Sequence, residues 1–119
     1  MSELPESGQR ILIYKPGLIE QIVAGTKTME IRGVHYKPGF YFLGSKGVVH
    51  ASARLGPAVL IESPLQFERH RHRHRYPFGS RNKLPYKTTW GFPISDVKKM
   101  NLPFRHPQGA VSMVRYQKP

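Results

Sequence analysis

The chain has no cysteine, a single tryptophan and only 7 acidic residues in 119. The missing cysteine removes disulfide frameworks, thiolate zinc sites, iron–sulfur clusters and cysteine nucleophiles, and it suits a reducing compartment. Long apolar runs are missing as well: nothing approaches the roughly 18–20 residues of a membrane span. The opening Met1-Ser2-Glu3-Leu4-Pro5-Glu6 is acidic and lacks the apolar segment of a secretory signal. A soluble cytoplasmic protein with no membrane partner is expected, or a nuclear one in a eukaryote. No Ser-His-Asp arrangement and no phosphate-cradling glycine loop is recognisable.

What is present is positive charge. The 19 Lys and Arg give a formal net charge of +12, which calls for an anionic partner. Residues 1–30 carry four acids against three bases, so the excess lies in residues 31–119, where one basic surface is expected. The 39% of hydrophobic residues suffice for one core. That predicts a flexible tail over 1–10 and a single domain over 11–119.

Ile11-Leu12-Ile13-Tyr14 reads as a strand stopped by Pro16. Leu18, Ile19, Ile22 and Val23 then form one face of a two-turn helix, with Gly25 placed to end it. From Thr26 to Arg32 the period falls to two: Thr28, Glu30 and Arg32 share one side and Met29 and Ile31 the other, the pattern of a half-buried strand with a polar face. Strands are expected at 39–43 and 47–54, joined by Gly44-Ser45-Lys46-Gly47, and again at 58–61. Ser63-Pro64-Leu65-Gln66 is a helix start with N-cap, N1 proline and capping-box glutamine. This helix runs to about His72 and passes into a basic loop, the basic insertion as a whole spanning 69–87. Strands around 88–94 and 110–116 complete the chain. The fold class is mostly β with short helices (α+β): a small, partly open β-barrel with two helices packed against it.

Chemistry concentrates in Gly25-Thr26-Lys27-Thr28-Met29-Glu30-Ile31-Arg32, where an ammonium, a carboxylate and a guanidinium fall within six residues. Glu30 and Arg32 share a strand face about 7 Å apart at their bases, and Lys27 can swing toward them from the preceding turn. Such a trio binds an anion or a polar base, or else satisfies itself at a surface. A second feature is Arg69-His70-Arg71-His72-Arg73-His74-Arg75, extended by Arg81, Lys83 and Lys87 with no acid between. Arginine pairs with phosphate through a bidentate fork, and histidine adds charge in acid. His70 and His74 stand one helical turn apart, but no third ligand accompanies them and fixed positive charges surround them, so no metal is expected. Tyr76 and Phe78 are placed to stack on unpaired bases, with Tyr86 also available, whereas Trp90 shares parity with Phe92 and Ile94 and reads as packed. His35, His50 and His106 have no assignable role.

Gly25, Lys27, Glu30 and Arg32 form a G-x-K-x-x-E-x-R signature just after a short helix, which resembles that of the activating signal cointegrator homology (ASCH) domain, a PUA-like β-barrel. The Tyr14-Lys15-Pro16 turn is similar to that family's strand-to-helix entry, and Trp90 to Val97, Pro103 and Gln108-Gly109-Ala110 resemble its closing strands. The resemblance covers Ile11 to Tyr116. It implies a cleft between the first helix and the barrel, lined by Lys27, Glu30 and Arg32, in which RNA or a nucleobase binds. It also implies an alternative, since some members are hydrolases: amidohydrolases on acetylated cytidine, or ribonucleases. In that case Lys27 is the base or nucleophile. Glu30 stands at the amidohydrolases' catalytic threonine, Thr28 is the nearby hydroxyl, and Glu68 is the one acid available from the next helix.

The leading expectation is a monomeric nucleic-acid-binding protein, RNA first and DNA second. Phosphates lie along Arg69, Arg71, Arg73, Arg75, Arg81, Lys83 and Lys87, with Lys15, Tyr76 and Phe78 near a nucleotide at Lys27, Glu30 and Arg32. No cofactor is expected. An acidic protein partner is the third class.

Overall fold

In a computed structural model, residues 6–77, 83–106 and 112–116 are described. The elements in chain order are β1 (Arg10–Ile13), α1 (Leu18–Val23), β2 (Met29–Arg32), β3 (Gly39–Ser45), β4 (Val48–Leu55), β5 (Val59–Ile61), α2 (Pro64–Arg69), α3 (Arg71–His74), β6 (Thr89–Arg105) and β7 (Met113–Arg115). The strands form one sheet in the order β2-β6-β4-β3-β1-β7, with β5 paired to β6.

The sheet is a curled half-barrel. β6 and β7 stand four places apart, roughly 19 Å in a flat sheet, yet the rings of Phe104 and Tyr116 are 5.3 Å apart. Leu12, Leu43, Ala51, Leu55 and Phe92 face α1, whose Ile19 and Ile22 are buried against them. Each such aliphatic side chain contributes about 1.5–3 kcal/mol on burial. On the opposite side Ile11, Phe42, Val49 and Met100 gather with Phe40, Phe104 and Tyr116. A third cluster, Met29, Ile31, Ile61 and Phe67, lies where α2 and α3 cover β2 and β5.

Several local expectations hold. α1 ends on Gly25, whose φ of +83° admits the left-handed turn; its N–H donates to the Ile22 carbonyl and that of Thr26 to Gln21, a Schellman motif. The β3–β4 hairpin closes on Lys46 and Gly47, both at positive φ as a two-residue type I′ turn requires. Ser63 caps α2 by accepting from the Gln66 N–H at 3.1 Å.

Others need correction. Among the described residues there are three short helices, not two, and the basic insertion begins as helix: α2 ends at Arg69 and α3 carries Arg71 to His74. β2 starts at Met29, and all four of its residues are buried, so its polar side faces the interior rather than solvent. The strand expected at 88–94 runs on to Arg105, through a distortion at Asp96 (φ +50°). Beyond Asp96 it pairs with β4 alone, and Lys98, Lys99 and Pro103 guard the open edge. β7 spans Met113–Arg115; 110 and 111 lie outside the described residues. Of the tail expected over 1–10, residues 6–10 are described, and the Gly8 N–H donates to the Tyr116 carbonyl at 2.8 Å.

Candidate functional site

The half-barrel stops short of closing where β2, one end of the sheet, comes round to β1 and β7 at the other. Arg32 spans the gap. Its Nη2 donates to the Ile13 carbonyl (2.8 Å) and its Nη1 to the Ser112 carbonyl (3.1 Å), while Nε donates to Glu30 Oε2 (2.7 Å). Its guanidinium also lies 4.8 Å from the centre of the Tyr14 ring. The Glu30–Arg32 spacing of two on one strand is what lets a single guanidinium hold both the acid and the opposite end of the sheet.

The Schellman turn delivers Lys27 to the start of β2. Its ammonium is fully buried, donates to the His74 carbonyl and sits 3.6 Å from Glu30 Oε1. Glu30 Oε1 also accepts from the Ile31 N–H at 3.2 Å. Burial alone would raise the Glu30 pKa, but the Arg32 and Lys27 cations outweigh it and hold the carboxyl below its usual range. Lys27 moves down, because loss of hydration outweighs the attraction of Glu30.

Beside this network is a cleft of about 540 Å³, walled by Tyr14, Lys15, Pro16 and Leu18 on one side, Glu30, Ile31 and Arg32 on the floor, and Tyr76, Pro77 and Tyr86 opposite. The volume falls within the usual range for small-ligand sites. Tyr76 and Tyr86 form an aromatic wall, their hydroxyls 2.7 Å apart and their rings edge to face. Gly33 admits this wall: a Cβ there would stand 2.8 Å from the Tyr86 ring.

The expected site residues therefore divide. Glu30, Arg32, Lys15 and Tyr76 line the cleft; Lys27 belongs to the same network but does not line it. Thr28 is exposed, and it is its backbone that is engaged: its N–H donates to the Arg73 carbonyl at 2.7 Å. Phe78 and Arg81 lie outside the described residues, as do Gln108, Gly109 and Ala110. Lys83 and Lys87 are exposed.

Helix formation sorts the Arg/His alternation. Arg69 and Arg75 are exposed and Arg73 half-buried, but Arg71 turns inward to Glu68, to the Tyr76 carbonyl and over the Phe67 ring. His74 is a core residue: it stacks on Phe67 at 4.2 Å, its Nε2 donates to the Phe67 carbonyl and its Nδ1 accepts from the Tyr76 N–H. Burial lowers its pKa to about 4. Among the described residues no three His, Asp or Glu side chains gather as a metal site, and no helix is long and apolar enough to cross a membrane. The cleft lining also includes residues not expected at the site, among them Tyr14, read as the end of a strand and part of a turn, and Tyr86, noted as an available stacking aromatic and not placed at the site.

No family model and no curated protein matches the sequence. Solved structures do. The ASCH protein of Zymomonas mobilis superposes with a TM-score of 0.69 at 16% identity, over 95% of this chain and 90% of that one. A serine-to-alanine variant of it gives 0.71 at 15%, over 97% and 92%. A tyrosine-to-phenylalanine variant gives 0.69 at 16%, over 93% and 91%. The chain has the fold of these ASCH proteins.

Proposed function

We propose that this ASCH-fold chain binds single-stranded nucleic acid, RNA first, seating one base in the cleft and carrying phosphates along the neighbouring cations. The observation that supports this most is the composition of the cleft: an ionised carboxylate and a guanidinium on the floor, facing a tyrosine pair. A base offers what such a pocket takes, a π-face for stacking and an edge of donors and acceptors. Phosphate is excluded from the floor by Glu30 and belongs outside, where Arg69, Arg73, Arg75, Lys83 and Lys87 supply charge.

Affinity for a labelled single-stranded RNA, measured by anisotropy at several salt concentrations, should fall linearly on a log–log scale. Replacing Arg69, Arg73 and Arg75 together should flatten that slope by about 2, at about 0.7 per phosphate contact on a single strand. Glu30→Gln should change base preference and leave the slope alone. An unchanged slope in the triple variant contradicts the phosphate path, and stronger binding to DNA or to an acidic polypeptide redirects the assignment.

A hydrolase working through Lys27 is the second reading, favoured by the burial that lowers its pKa. Against it, the amine is held by the His74 carbonyl and stands outside the cleft lining. Release of cytidine from acetylcytidine, or cleavage of RNA, abolished by Lys27→Met would establish it. Neither reading calls for a cofactor.

A further inference from the structure

Tyr76 stands in the cleft wall, yet it lies in no helix or strand. It follows a turn at Arg75, where φ is +51°, a left-handed conformation that a residue with a side chain adopts only at a cost. Such a turn persists where its surroundings fix it, and here the Arg/His alternation does so. The Tyr76 N–H donates to His74 Nδ1 at 2.9 Å, and the Tyr76 carbonyl accepts from Arg71 Nη1. Neither Arg71 nor His74 lines the cleft. Both are themselves held. His74 is wholly buried, stacked on the Phe67 ring with Nε2 at 3.0 Å from the Phe67 carbonyl. Arg71 donates from Nε and Nη2 to the two Glu68 carboxylate oxygens and lies 5.2 Å from the centre of the same ring. The unit is tied to the cleft floor as well: the Lys27 ammonium donates to the His74 carbonyl and the Thr28 N–H to the Arg73 carbonyl.

We propose that Arg71 and His74 are positioning residues of the cleft: by clamping the carbonyl and the N–H of Tyr76 they set the ring on which a bound base stacks, and they touch neither base nor phosphate. This rests on the base-in-cleft reading and deepens it. Stacking depends on the offset and separation of the two rings, and a ring fixed in advance loses no freedom when the base arrives. The hydrogen-bond partners set the state of the imidazole: Nδ1 faces a donor and must accept, so Nε2 carries the hydrogen and donates to the Phe67 carbonyl. It stays neutral, because burial, supported by the Lys27 and Arg71 charges, outweighs the Phe67 carbonyl and Glu68, which pull the other way. Arg71 differs from the exposed arginines around it in the same manner. With Nε and Nη2 on Glu68 and Nη1 on a carbonyl, its fork is committed within the protein and is not presented to a phosphate.

The test uses the whole chain, a labelled single-stranded RNA and the variants Tyr76→Ala, Arg71→Met, His74→Phe and His74→Gln. Tyr76→Ala should weaken binding about tenfold, the effect of one lost stacking face. Arg71→Met and His74→Phe should each weaken it about fivefold in the wild-type background and by less than about twofold where Tyr76 is already alanine, because no ring is left to position. The salt slope of Arg71→Met should equal that of wild type, whereas a lost phosphate contact flattens it by about 0.7. His74→Gln, which again offers an acceptor and a donor, should recover the affinity that His74→Phe loses. Where His74→Phe does not fold, the cycle of Arg71→Met with Tyr76→Ala decides. Losses that add in full to that of Tyr76→Ala, or a flatter slope in Arg71→Met, overturn the positioning role while the cleft reading stands. Binding by Tyr76→Ala as tight as wild type overturns stacking in the cleft itself, and the role of Arg71 and His74 with it.

Discussion

Replacing Arg32 by methionine should destabilise the fold by about 3–5 kcal/mol, because it leaves a buried carboxylate without its nearest cation. The thermal midpoint should fall by roughly 10–20 °C for a chain of this size. The expectation follows from the position of the guanidinium: it neutralises Glu30, and it holds the Ile13 and Ser112 carbonyls at the far end of the sheet. Two consequences separate these roles. In a double variant, Arg32→Met with Glu30→Gln, the buried charge is gone, so the loss should be clearly smaller than the sum of the single losses. The loss of the span between β2 and β7 should remain, visible as faster amide exchange in Met113–Arg115 than in wild type. A single variant as stable as wild type would mean that the network carries no weight in the fold.

Acid should weaken the fold through His74 before it does so through the carboxylates. The folded pKa of His74 is about 4, against about 6.5 for an unfolded histidine. Between those values the unfolded chain binds a proton that the folded chain refuses, so stability falls as pH drops from about 6.5 to about 4 and levels off below. The full amplitude is on the order of 3 kcal/mol. Glu30 acts lower: its folded pKa is depressed, so its contribution is lost as pH falls through that depressed value. Urea midpoints at half-unit pH intervals check this. His74→Gln keeps polar atoms toward the Phe67 carbonyl and the Tyr76 N–H and should abolish the loss between pH 6.5 and 4. If that variant keeps the same pH dependence, His74 is not the group responsible.

The parts of the fold legible in the sequence are those where one local rule acts without competition. Gly25 ended a helix because only glycine takes the left-handed turn cheaply, and Lys46-Gly47 made the hairpin for a similar reason. The two-residue period of Glu30 and Arg32 correctly brought acid and guanidinium together. It could not show that both faces of β2 are covered, because the covering helices come more than thirty residues later. Ending the helix at about His72 and passing from there into a basic loop hid α3, although Phe67 and His74 stand seven apart, at helical spacing for one buried face. The extension of β6 was hidden by Lys98, Lys99 and Pro103, residues a strand tolerates at an open edge and rarely at its centre. Tyr14 was not legible as a cleft residue for another reason: nothing local distinguishes a tyrosine that only packs from one that also walls a cleft.

The fold places a buried acid between two cations at the gap between β2 and β1, and the tyrosine wall lines the same cleft. A base in that gap is the central claim. The most direct measurement is photocrosslinking of the protein to single-stranded RNA in light, followed by mass-spectrometric mapping of the modified peptides. The account predicts adducts at Tyr76 and Tyr86, suppressed by excess nucleotide. Adducts confined to the exposed edge of β6, with both tyrosines unmodified, would contradict it.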